Sequence, residues 1–195
     1  MNYTDERFAD IQMLRYRLNG FEELTLQQKK YIYYLSLATL AGRDITFDQC
    51  GKYNLRVRKT LEAIYTDYTI DRTTEAFRAL EVYLKRVWFS NGVYHHYGCE
   101  KFKPGFSEEF LHDCVMTVDP KRLPLMGEET PMDLLLDLRA IIFDDDYLPK
   151  RVNKADGEDV VKTSACNYYA NVSQEEVEAF YAETVSYTHL RAHET

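Results

Sequence analysis

The chain has no run near the roughly 18 consecutive apolar residues that a membrane-crossing helix requires. Its first ten residues are polar and acidic, without the basic and apolar blocks of a signal peptide. Neither a membrane span nor a secretory leader is expected within it. Basic charge is also short: 24 Lys and Arg stand against 32 Asp and Glu, a net charge of −8. Gripping a phosphate backbone takes concentrated Lys and Arg that release counterions, so nucleic acid is not an expected partner. An anionic membrane surface is disfavoured on the same ground. The densest basic group, Arg56, Arg58 and Lys59, reads as the solvated face of a helix. Cysteine is sparse. Cys50, Cys99, Cys114 and Cys166 are widely spaced with no CxxC, which excludes a dense disulfide framework and points to free thiols in a reducing, cytoplasmic setting.

Local catalytic signatures are missing too. There is no HExxH or HExxGH helix to pair two imidazoles with a general base, no GxSxG nucleophile turn, no GxxxxGK[ST] phosphate loop and no GxGxxG fingerprint. The acidic run Asp144, Asp145 and Asp146 lacks the alternating ligands and glycine of a calcium loop and reads as a solvated helix end.

What is present is apolar mass. With 45% hydrophobic and 14% aromatic residues among 195, the chain can build a real core. Sixteen Tyr point to half-buried surfaces, because each ring seeks burial while its hydroxyl seeks a partner. Thr25 and Gln28 form a capping box that opens a helix, with Ile32, Leu35 and Leu40 at helical spacing and Gly42 as a left-handed stop. A second helix is expected over 54–68 on Val57, Leu61, Ile64, Tyr65 and Tyr68. A third begins near Thr74, carries Phe77, Leu80, Leu84, Val87 and Trp88, and ends at Asn91-Gly92. Short helices follow Ser107 and Thr130, the latter with Pro131 at its first position. The β-branched segment Asp159–Ser164 is expected as a short strand. Ser173 and Glu176 open a last helix, stapled by Val172 against Val177. The expected fold is mainly α.

Two groups could carry chemistry. His95, His96, Cys99, His112 and Cys114 are zinc-binding residue types, but their spacing matches no standard site and they read as polar loop and helix side chains. The segment Trp88–Phe106 holds six aromatics, two His and three Gly directly after an amphipathic helix. Glycine permits unusual backbone angles, while Tyr and His give flat surfaces with polar ends, a make-up suited to lining a peptide cleft or to packing as an aromatic loop.

That segment resembles a stretch of the dipeptidyl peptidase III family, Ser-Asn-(Met)-Gly-Asn-Tyr-x-x-Phe-Gly-x-x-Lys-Phe. Ser90, Asn91, Gly92, Tyr94, Gly98, Lys101 and Phe102 match it; Tyr97 stands for Phe, and the chain is one residue shorter between Asn91 and Gly92. Further stretches are similar to the bacterial branch: 8–12 with 14–16, 26–29 with 33–36, 51–56, 150–153 and 167–169. The likeness is collinear from Phe8 to Tyr181. It implies the helical part of the α+β lower lobe of a two-lobed zinc metallopeptidase that releases dipeptides from the amino terminus of short peptides. It also implies that the zinc, held by HExxGH and a later Glu, belongs to the full-length parent, and that this fragment binds none and lacks the catalytic centre. The residues carried over are Asn91, Gly92, Tyr94, Tyr97, Gly98, Lys101 and Phe102, as one wall of a substrate cleft. The remainder of the same chain is then the natural partner of residues 1–184, and uncovered apolar surface is expected. The last eleven residues, Val185–Thr195, resemble the translation of a transposase sequencing adapter, which accounts for His189, His193 and Glu194 without a metal site and interrupts the last helix after about Thr184.

Overall fold

The computed structural model describes residues 3–191, with side chains as far as residue 182. The chain is about 53% helical with one small two-stranded sheet, so it is mainly α. Strands β1 (Thr4–Phe8) and β2 (Ile11–Leu14) form an antiparallel hairpin with Phe8 opposite Ile11 and Arg7 opposite Gln12. Eight helices follow among the described residues: α1 (Leu26–Ala41), α2 (Arg43–Cys50), α3 (Asn54–Asp67), α4 (Glu75–Ser90), α5 (Glu108–Thr117), α6 (Pro131–Phe143), α7 (Val160–Thr163) and α8 (Gln174–Arg191).

The helix starts follow the capping chemistry. Thr25 and Thr130 each complete a capping box, with Gln28 and Asp133. Thr74 and Ser107 accept from the backbone amides of Phe77 and Ser107's own third successor, Phe110. Ser173 exchanges hydrogen bonds with Glu176 at the start of α8. Each such cap satisfies amides that the helix itself leaves unpaired.

The core lies between α3 and α4, closed by α5 and α6. Val57, Leu61 and Ile64 of α3 share it with Leu80, Leu84 and Val87 of α4, Leu111 and Val115 of α5, and Leu134, Leu138 and Ile141 of α6. Buried side chains of this size stabilise a fold by about 1.5–3 kcal/mol each relative to exposure. The hairpin docks on α4 through the ion pairs Asp10–Arg86, at 2.6 Å, and Glu6–Lys85.

Three expectations need correction. Arg56 and Arg58 are not a solvated face: their side chains are only 12% and 11% exposed. Arg56 clamps Glu129 and Asp137, and Arg58 reaches Asp44 while lying over the Phe47 ring, so they tie α3 to α6 and α2. Only Lys59 of the three is half exposed. Gly42 is right-handed (φ −81°, ψ −2°), and the chain re-enters helix at once in α2. Residues 159–164 form no strand. Asp159 accepts from the amides of Val161 and Lys162 and nucleates α7, and its other carboxylate oxygen accepts from the Gln174 amide at the start of α8. Two capped helix starts outweigh a β preference that finds no partner strand. Helix α1 forms as expected; Ile32, Leu35 and Leu40 remain exposed, and no side chain of that helix is buried. The backbone of α8 continues to Arg191; the side chains of Val185–Thr195, including His189, His193 and Glu194, lie outside the described residues.

Candidate functional site

The segment after α4 folds as a small platform. Asn91 takes the left-handed conformation that ends the helix (φ 55°), and Gly92 follows at φ 149°. A Cβ on Gly92 would meet the Asn54 side-chain nitrogen at 2.0 Å, so glycine is demanded by the backbone angle and by the contact together. Asn54 is the anchor. It is buried at the start of α3, its carbonyl oxygen accepts from the Val93 amide at 3.2 Å, and its amide nitrogen faces the Asn91 carbonyl at 3.4 Å.

From there the chain makes a short antiparallel turn. Tyr94 bridges Lys101, the Phe102 amide donates to the Val93 carbonyl and the His95 amide to the Glu100 carbonyl, both at 2.8 Å. The His95 ring closes the tip: its Nδ1 accepts from the amides of Tyr97 and Gly98 at 3.2 and 3.0 Å. Arg151 braces the outer side by donating to the His96 carbonyl and lying against Cys99.

The seven residues matched to the cleft wall divide by environment. Tyr94 is buried and donates its hydroxyl to the Leu148 carbonyl at 2.8 Å. Phe102 is buried beneath the Arg86 guanidinium and the His95 ring. Lys101 donates to the Asp144 carbonyl at 2.7 Å, satisfying the end of α6, and burial holds its ammonium pKa below the usual lysine value. Asn91 and Gly92 set the turn, and Gly98 leaves room for the Glu100 carboxylate. Tyr97 alone of the aromatic three faces solvent, at 85% exposure.

Around it the rings form a continuous surface. His96 lies 4.5 Å from both His95 and Tyr97, and Phe89 meets His96 edge-on at 5.0 Å. Burial, then the neighbouring His95 and Arg151, lower the His96 pKa, so this ring is neutral near pH 7. The result is an aromatic patch on a hydrogen-bonded frame, able to stack against a flat or apolar group.

No protein-family profile matches this chain, and no curated protein matches it.

Zinc is implied by the resemblance for the whole enzyme and needs three or four convergent His, Cys or carboxylate ligands. Among the described residues no three such side chains are placed to share an ion. His112 is exposed beside Asp113, whereas Cys114 points into the core, where burial pushes its thiol up to about 12. The residues present therefore do not fit the metal.

Sequence reasoning singled out the loop but missed its supports. Asn54 and Arg151 fall in the stretches 51–56 and 150–153 that resemble the family, but nothing local marked them, or the Tyr53–Tyr147 hydroxyl pair (2.9 Å), as supports of the loop. Within that pair, Tyr147 is pushed up to about 12, first by the hydrogen bond with Tyr53 and then by burial. All three act across long sequence separations, so no window of the sequence contains both partners.

Proposed function

We propose that this chain is the amino-terminal part of the substrate-binding lobe of a dipeptidyl peptidase III-like enzyme, a zinc-dependent hydrolase that releases dipeptides from short peptides. The observation that carries this reading is the division of labour in the loop 91–102. Residues matching the family pattern build its frame, and the one aromatic that departs from it, Tyr97, is the one presented outward. A fixed aromatic surface suits a peptide, whose side chains and amide planes both stack on flat rings. The collinear likeness from Phe8 to Tyr181 adds to it.

On this reading the chain binds and orients but does not cleave. The groups that hold zinc and activate water belong to HExxGH and a later Glu motif, neither of which this sequence contains. The purified chain, supplied with zinc or cobalt, is expected to release no dipeptide from aminoacyl-arginine-arginine arylamides. Turnover that copurifies with the chain overturns the proposal, and so does a genomic reading frame that continues past the Thr184 codon without HExxGH.

A second reading, a non-catalytic helical interaction domain, is favoured by one observation: the apolar side chains of α1 are exposed along its whole length. A reading frame containing HExxGH decides against it.

A further inference from the structure

Three of the four cysteines, far apart in sequence, meet around one arginine. The Arg151 guanidinium lies 3.6 Å from the Cys99 sulfur and also reaches the Cys50 thiol. The backbone explains the convergence. The Arg151 amide donates to the Cys99 carbonyl at 2.8 Å, and the Cys166 amide donates to the Arg151 carbonyl at 3.1 Å. On its other side the segment around Cys166 is tied to the end of α2: the Asn167 amide donates to the Gln49 carbonyl at 3.0 Å and the Lys52 amide to the Ala165 carbonyl at 3.3 Å. These two bonds bracket Cys166 on one side and Cys50-Gly51 on the other.

Cys50 is the last residue of α2 and Cys166 lies in irregular chain, so these bonds set the two cysteines side by side across the contact. A disulfide needs Cα atoms roughly 4.4–6.8 Å apart. Cys99 lies on the far side of the Arg151 segment, two spacings of roughly 4.8 Å from Cys166, and is out of reach of it. All three thiols are partly exposed and unpaired, while Cys114 is buried in the core.

We propose that Cys50 and Cys166 are a peroxide-responsive dithiol that closes to a disulfide and locks the base of the aromatic loop. Burial, the largest influence on it, raises the Cys166 thiol pKa, which assigns Cys166 the resolving role and Cys50 the first attack. The Cys50 sulfur attacks hydrogen peroxide, the O–O bond breaks, and a sulfenic acid and one water result. The Cys166 sulfur then attacks the Cys50 sulfur, the S–O bond breaks, and the hydroxyl leaves as a second water with the thiol proton. Two thiols lose two electrons and two protons, and the peroxide takes both.

The bond would tie the end of α2 to the segment 165–167. Gly51, next to Cys50, packs on Asn54, the residue that holds Val93 and Gly92. Oxidation therefore fixes the support of the loop without touching its rings.

The test treats the full chain with hydrogen peroxide without denaturant, alkylates the remaining thiols and maps peptides by mass spectrometry without reductant. The expected product joins the Cys50 and Cys166 peptides within one molecule, disappears with dithiothreitol, and leaves Cys99 and Cys114 alkylated. In Cys166→Ser the linked peptide is lost and dimedone labels Cys50 instead. Four alkylated cysteines after peroxide, a bond to Cys99, or linkage only between molecules each overturn the proposal. The measurement on the unsubstituted chain stands whether or not the variant folds.

Discussion

Helices α1 and α4 are each sixteen residues long and each opens on a threonine cap, yet they end in opposite environments. In α4 the charged residues Glu75, Arg78, Glu81, Lys85 and Arg86 leave one face to Phe77, Leu80, Tyr83, Leu84 and Val87, all buried. In α1 no charge falls between Tyr31 and Ala41, and the two aliphatic hydroxyls there, Ser36 and Thr39, bond back to the carbonyls of Ile32 and Leu35. Apolar residues thus surround the axis, and a helix of that kind has no preferred face toward a single neighbour. Capping makes a helix; only the division into two faces tells it where to pack within its own chain.

The largest expected effect sets the two helices against each other. Leu84→Ala in α4 should cost about 2–5 kcal/mol in urea unfolding, because it opens a cavity in a fully buried site. Leu35→Ala in α1, 48% exposed, should stay within about 0.5 kcal/mol in the same measurement. Equal losses would erase the contrast.

A smaller effect tests whether the loop belongs with the α4 side. Asn54→Ala strands the Val93 amide in a buried place and should cost about 1–3 kcal/mol. Amide exchange should accelerate at Val93 and Phe102 and stay unchanged in α1. Unchanged protection at Val93 would show that the loop holds without its anchor.

The smallest effect is a difference in acid. Asp133 and Glu176 cap α6 and α8, and hydrogen bonds from the Thr130 and Ser173 amides hold both carboxyls below their ordinary values. A depressed pKa contributes stability that is complete above the unfolded values, about 3.9 and 4.3. That contribution fades as pH falls through the lower folded values. The cap of α1 uses Thr25 and Gln28, which do not titrate there. Amide resonances at the starts of α6 and α8 should therefore shift below pH 4 while those of α1 hold still; a matching shift at Thr25 and Gln28 would contradict this.

The helices were legible because their signals are local. A cap and its third successor, or a 3.6-residue stripe, fit inside one turn or a few, and α3 to α6 follow them closely. The failures share one cause. Whether Arg56 and Arg58 are solvated, and whether 159–164 is strand or helix, depend on what lies opposite. Those neighbours, such as Glu129, Asp137 and Gln174, are remote in sequence. The loop 91–102 stood out by composition, but which of its rings faces outward could not be read from composition alone.

The sequence by itself determined where α1, α3 to α6 and α8 begin, that the fold is mainly α, and that one glycine-rich aromatic segment interrupts it, since each rests on contacts between near neighbours in the chain. Only the tertiary structure decided that Tyr94 and Phe102 are buried while Tyr97 is presented, that Asn54 carries the loop, and that Cys50, Cys99 and Cys166 gather at Arg151. Burial and convergence are properties of segments brought together across the fold, and no single stretch of sequence holds both sides of such a contact.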